Sequence, residues 1–218
     1  GMATSRALMN YAKGMAPLES GGKTEWDNGN GSLMRILPIC LYLFERQKKV
    51  CTSENESIYM IHAVSALTHA HVRSQMACGI YYFLVKAILE EEGSLEKRLQ
   101  KGMERAYQYY RQNLSNHREL ENYKRLADLS EFKETPKEGI KSSGYVVDTL
   151  EAAVWCLLHS HSYKETVLMA VNLGEDTDTI GAVAGGLAGL YYKEEGIPQE
   201  WTQVLQRREW IEEVLQGI

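Results

Sequence analysis

Apolar residues along this chain recur three and four apart far more often than two apart, which is the repeat of a helix face and not of a strand. Leu95, Leu99, Met103 and Ala106 show it most plainly. The pattern predicts a short helix over residues 3–13. It predicts an apolar helix through LMRILPICLYLFER, with Pro38 as a kink or a late start. Ser53 and Glu56 form a capping box for a helix running to about Leu67. An amphipathic helix follows from His71 to Glu90, and Ser94 caps the next. A polar helix is expected over residues 115–129, and Val146 to Leu158 is an apolar segment. Ser162 with Glu165 caps a helix to about Leu173. A smooth helix spans Ile180 to Lys193, and one or two short helices follow Pro198. The stretches PLESGGKTEWDNGNGS, from Pro17, and SEFKETPKEGIKSSG, from Ser130, read as loops. No alternating run is flanked by hairpin turns, and no fixed-period repeat is present. The expectation is an all-α protein packed as one compact multi-helix domain. Gly1 before Met2 reads as a cloning remnant, which leaves 2–218 as the domain.

Composition narrows the functional classes. With 44% hydrophobic and 24% charged residues the chain has an ordinary globular balance. A net charge of −5 without a basic stripe argues against a nucleic-acid partner. The smoothest run, Ile180 to Tyr192, is shorter than the roughly 20 residues a membrane span needs. There is no signal peptide, so a cytoplasmic protein away from membranes is expected. Cys40, Cys51, Cys78 and Cys156 form no CxxC pair and read as reduced, mostly buried thiols.

Chemistry concentrates in NLGEDTDTIGAVAGG, from Asn172 to Gly186. Asp178 or Thr177 would suffice to cap the helix that follows, worth about 1 kcal/mol. That leaves Asp176 unexplained, because a second carboxylate two residues away adds repulsion. A hard divalent cation explains both acids, since an Asp-x-Asp-Thr turn offers two carboxylates and a hydroxyl to one point. An EF-hand loop is excluded by Leu187, which stands where a bidentate Glu is required. Gly181, Gly185 and Gly189 recur every fourth residue and leave one helix face bare. Close helix packing accounts for Gly185 and Gly189; Gly181, in the first turn, could instead admit a ligand to the metal.

Three further stretches carry weaker signals. WDNGNGSLMR, from Trp26 to Arg35, is a glycine loop running into a helix; it suits a diphosphate or a ribose hydroxyl, or is an ordinary turn. In THAHVR, His69 and His71 are two apart and do not share a helix face, so a helix-junction role competes with substrate contact. SSGYVVDT, from Ser142, is a loop and helix start in which Tyr145 could offer its ring to a base.

Taken together, NGNGSLMRILP, THAHVRS, SSGYVVDTLEAAVW and AVNLGEDTDTIGAVAGGLAG resemble the ADP-ribosylglycohydrolase family in order and spacing, from near the N-terminus to about Trp201. The resemblance implies an all-α fold with a dinuclear Mg²⁺ or Mn²⁺ site, whose C-terminal ligands here are Asp176, Asp178 and Thr179. It carries substrate contact onto Asp27, Asn30, Gly31, Ser32 and His69, and the adenosine side onto Gly144 and Tyr145. Family members also bear an N-terminal Thr-Asp-Asp motif; this sequence has no adjacent Asp pair. The expectation is therefore a family domain lacking its N-terminal part, with an open edge suited to a homodimer. The implied reaction is hydrolysis of the glycosidic bond between ADP-ribose and an acceptor such as arginine, with ADP-ribose or an ADP-ribosylated protein as partner. Asp27, the loop carboxylate, is the candidate catalytic group. The alternatives are a silent ADP-ribose or nucleotide binder and a folded gene fragment.

Overall fold

Several helices in this chain begin where a side chain satisfies the first free N–H groups. The computed structural model describes residues 1–50, 53–112 and 117–216. Helix α1 spans Met2–Ala12, α2 Leu37–Lys49 and α3 Glu54–Ala66. Ser53 and Glu56 form the expected reciprocal box at the head of α3. Helix α4 covers Val72–Glu90 and α5 Leu95–Arg111; His71 caps the first through Arg73 N–H and Ser94 the second through Lys97 N–H. Two short helices follow, α6 at His117–Leu120 and α7 at Leu129–Lys133. Then come α8 at Val146–Leu158, α9 at Tyr163–Val171 with Ser162 as its cap, and α10 at Thr177–Tyr192. The tail forms α11 at Gln199–Gln203 and α12 at Arg208–Gln216. Among the described residues there is no strand, only the isolated bridges Gly22 to His69 and Gly29 to Tyr145. No helix among them is long and apolar enough to cross a membrane.

Several boundaries differ from the pattern, each for a local reason. The helix expected from Leu33 starts late: Leu33–Arg35 is a 3₁₀ turn, and Pro38 lies in the first turn of α2, where its missing N–H costs nothing. The polar helix expected over 115–129 lies partly outside the described residues; the rest is α6 and a 3₁₀ stretch, Glu121–Leu126. Part of the expected loop after Ser130 is helical, because Asp128 accepts from Ser130 and Glu131 N–H and Leu129 and Phe132 are buried. Five residues are too few for periodicity to register. Cys51 lies outside the described residues, while Cys40, Cys78 and Cys156 are free and buried.

Helix α4 is not amphipathic: every residue from Met76 to Ile88 is buried. A helix enclosed on all sides is the centre of a bundle. It packs against α2, α3, α5, α8 and α10. Lys86 is enclosed with it and reaches Glu54 at 3.2 Å. On the other side α8, α9 and α10 pack on one another. The glycines of α10 permit this. A Cβ at Gly185 would stand 3.4 Å from Val167 of α9, and at Gly189 3.7 Å from Tyr163, as close packing predicts. Gly181 faces α9 as well, 3.1 Å from Val171, so its bare surface meets a neighbouring helix and not a ligand. Gly186 makes the tightest approach, 2.6 Å from the hydroxyl of buried Tyr81 on α4.

Candidate functional site

The connection from α9 to α10 aims the acidic turn. Gly174 and Glu175 both take positive φ, 105° and 50°, and reverse the chain in two residues. Asp176 N–H then donates to Ser142 C=O at 3.0 Å. Asp176 is the residue preceding α10, yet its side chain caps no N–H. Neither Asp178 nor Thr177 takes that role, because the helix has already begun. The Asp176 carboxylate instead accepts from Thr179 Oγ1 at 3.0 Å and from Asn30 Nδ2 at 2.6 Å. Asp178 is exposed, and among the described residues its carboxylate has no partner.

Asn30 joins segments far apart in sequence. The same Nδ2 donates to Thr149 Oγ1 at 2.8 Å, and its backbone N–H donates to Gly144 C=O at 3.0 Å. Asn28 C=O accepts from Val146 N–H at 3.0 Å, and its side chain accepts from Ser74 at 3.0 Å. The glycine loop, the start of α8 and the head of α10 therefore meet at one point. Gly144 sits in the seam, where a Cβ would come within 3.3 Å of the Asp176 carboxylate.

Other expected site residues lie behind this seam. Asp27 is buried, and its carboxylate accepts from the N–H and hydroxyl of Thr24 and pairs with Arg6. Burial alone would raise its pKa, but the Thr24 hydrogen bonds and Arg6 hold it below the usual carboxylate value. Ser32 is fully buried, and its hydroxyl accepts from Ser65 at 2.9 Å. Gly31 has no side chain because the His69 ring is there; a Cβ would lie 2.8 Å from its Cε1. His69 is buried and bonded to Thr68, not to backbone through its ring. Thr68 Oγ1 accepts from Arg35 at 2.8 Å and lies 2.7 Å from His69 Nδ1. Because Arg35 donates to Thr68, the Thr68 hydroxyl can donate to Nδ1, which puts the ring proton on Nε2, beside Gly29 and Gly31. Burial, then the Arg35 charge, lowers the His69 pKa to about 4, against the pull of Asp27, so the ring is neutral near pH 7.

A cavity of about 540 Å³ opens in front of the seam. The glycine loop contributes Glu25, Trp26, Asn28 and Gly29 to its wall, and Arg73, Gly144 and Tyr145 complete it. Arg73 organises one end. Its Nε donates to Glu119 at 2.8 Å, one terminal nitrogen to Tyr145 Oη at 3.1 Å and the other to Glu25 Oε1 at 3.3 Å. Burial disfavours this charge, but the hydrogen bond to Glu119 and the neighbouring groups raise its pKa above the ordinary arginine value. Arg73 and Glu25 escaped the sequence reading because their partners are distant in sequence; Arg73 merely ends the THAHVR stretch.

Asp176, Asp178 and Thr179 suit a divalent ion in kind. All are oxygen donors, and among the described residues no Lys or Arg pairs with either acid. In number they make one face of a site. Among the described residues no group of three or more His, Cys, Asp or Glu is placed to enclose an ion.

A model of the ADP-ribosylglycohydrolase family matches residues 1–218. A curated relative from Serratia proteamaculans (strain 568), named ADP-ribosylarginine hydrolase Tri1, is 30% identical over 213 residues, covering 97% of this chain and 51% of that protein. Its namesake from Pseudomonas putida (strain GB-1) is 29% identical over 193 residues, covering 87% of this chain and 45% of the relative. A solved structure titled as an ADP-ribosylglycohydrolase-related protein complex superposes with a TM-score of 0.76 at 29% identity, covering 97% of this chain and 66% of that one. The chain spans about half the length of the curated relatives it matches. The family match over 1–218 does not support the expectation that the domain's N-terminal part is lacking.

Proposed function

This chain belongs to the ADP-ribosylglycohydrolase family, and we propose from that premise that it serves hydrolysis of the glycosidic bond between ADP-ribose and an acceptor such as arginine on an ADP-ribosylated protein. The observation that carries this reading is the Asn30 junction. One amide fastens the glycine loop to Asp176 and to Thr149, beside a cleft of about 540 Å³. The reaction adds water to the anomeric carbon and breaks the bond to the acceptor nitrogen. One proton leaves the attacking oxygen, and one is needed by the departing group.

In this reading Asp176, Asp178 and Thr179 would hold Mg²⁺ or Mn²⁺. Such an ion would supply positive charge to the ribose hydroxyls and to water. Asn30 holds the Asp176 carboxylate at the seam beside the cleft. Tyr145 and Gly144 wall the adenosine side. Asp27, Gly31, Ser32 and His69 are assigned to positioning. The side chains of Asp27, Ser32 and His69 are bonded to protein partners, and a carboxylate with a lowered pKa is a weak proton acceptor.

The test is release of arginine from ADP-ribosyl-arginine with Mg²⁺ or Mn²⁺ supplied. Turnover that disappears with chelator and with Asp176→Asn plus Asp178→Asn supports the reading; turnover indifferent to both refutes it. A second reading, ADP-ribose binding without turnover, is favoured by the small donor set at the acidic turn. Calorimetric binding of ADP-ribose by a protein inert in that assay would select it.

A further inference from the structure

We propose that Glu25 and Trp26 form a base-recognition edge, which takes a flat purine against Tyr145 and accepts its exocyclic amine on the Glu25 carboxylate. The inference rests on the ADP-ribose reading and deepens it by naming what selects the base.

Trp26 is 94% exposed on the cavity rim, and among the described residues it has no hydrogen-bond or ring partner. An indole left wholly in water beside a cleft is unusual, because burying it against an apolar surface is favourable. Tyr145, on the same cavity wall, is half-buried and its hydroxyl is held by Arg73. Gly29 and Gly144 contribute only backbone to the wall, so no side chain from them fills the space in front of these rings. A flat aromatic ring suits that opening, and stacking a base on an aromatic side chain is worth roughly 1–3 kcal/mol.

Glu25 adds direction. Arg73 holds its Oε1 at 3.3 Å, while Oε2 has no partner among the described residues. The glutamate is thus aimed by one oxygen and free to accept with the other. The same guanidinium holds Tyr145, so Arg73 fixes the ring wall and the acceptor as a unit, itself anchored by Glu119. A single free carboxylate oxygen at a ring edge favours a base that presents an amine hydrogen there and disfavours one that presents none. Asp176 and Asp178 are not among the residues lining this cavity, so base and ribose are read by different groups.

The experiment measures binding of ADP-ribose and of its 6-deamino analogue, in which purine replaces adenine, by calorimetry on the full chain. The wild type is expected to prefer ADP-ribose by roughly 3- to 10-fold, the size of one partly exposed charge-assisted hydrogen bond. Glu25→Ala should bring that ratio to about one. Trp26→Ala should weaken both ligands by about tenfold, and Trp26→Phe should recover part of the loss. Both positions are exposed, so circular dichroism melts should match the wild type. A preference that survives Glu25→Ala, or affinities unmoved by Trp26→Ala, overturns the assignment while leaving ADP-ribose binding in place. A wild-type protein that binds no ADP-ribose at millimolar concentration overturns instead the reading on which it rests.

Discussion

The loop over residues 20–35 and the turn at the head of α10 meet through one asparagine, yet their polar groups are used in opposite ways. In the loop, Asp27 and Ser32 are buried and bonded to protein partners, as is His69, whose ring packs against Gly31. In the turn, Asp178 is exposed without a partner among the described residues, and Asp176 accepts only from Asn30 and Thr179. Burying a polar group demands a partner, and a group that has one inside the protein is less available to a ligand. The loop is the frame, and the turn, with the Glu25 and Trp26 rim, is the part left open.

The largest expected effect tests the open side. Under the proposed reading, Asp176→Ala combined with Asp178→Ala should lower ion-dependent release of arginine by roughly 100-fold or more; equal rates in a steady-state assay would erase the contrast. Next comes the frame. Gly31→Ala pushes a Cβ to within 2.8 Å of His69 Cε1 and should cost about 1–3 kcal/mol in a urea titration.

Acid should separate the regions further. His69 and His62 are both lowered from 6.5 to about 4, the first by burial and Arg35, the second by burial. The unfolded chain takes up these protons first. The stabilisation is therefore complete above about pH 6.5 and is lost as pH falls toward 4. His69→Gln should flatten part of that decline, read as melting temperature against pH, leaving the share of His62. The smallest effect belongs to Asp178→Asn alone, an exposed change that should move stability by no more than about 0.5 kcal/mol. A larger shift would mean that the acid is held inside the fold.

Much of the frame was legible locally. The caps at Ser53, Ser94 and Ser162 depend on residues three positions away, and the Asp-x-Asp-Thr turn stands out because one helix start does not need two acids. Gly185 and Gly189 signalled a bare face meeting another helix, as they do. Gly181 was open to a ligand role, but Val171 packs against it, and Asp27, singled out as the loop carboxylate, is bonded to Thr24 and Arg6. Arg73 gave no signal, because its worth lies in joining Glu119, Glu25 and Tyr145.

By itself the sequence determined that this protein is helical, where most helices begin, and which family its motifs belong to. Those features follow from residues within a turn or two of each other, where periodicity and capping act. Only the tertiary structure decided which polar residues face the cleft and which hold the loop behind it. That division depends on neighbours a hundred or more positions away, as Asn30 finds Thr149 and Asp176, and no local pattern carries such a contact.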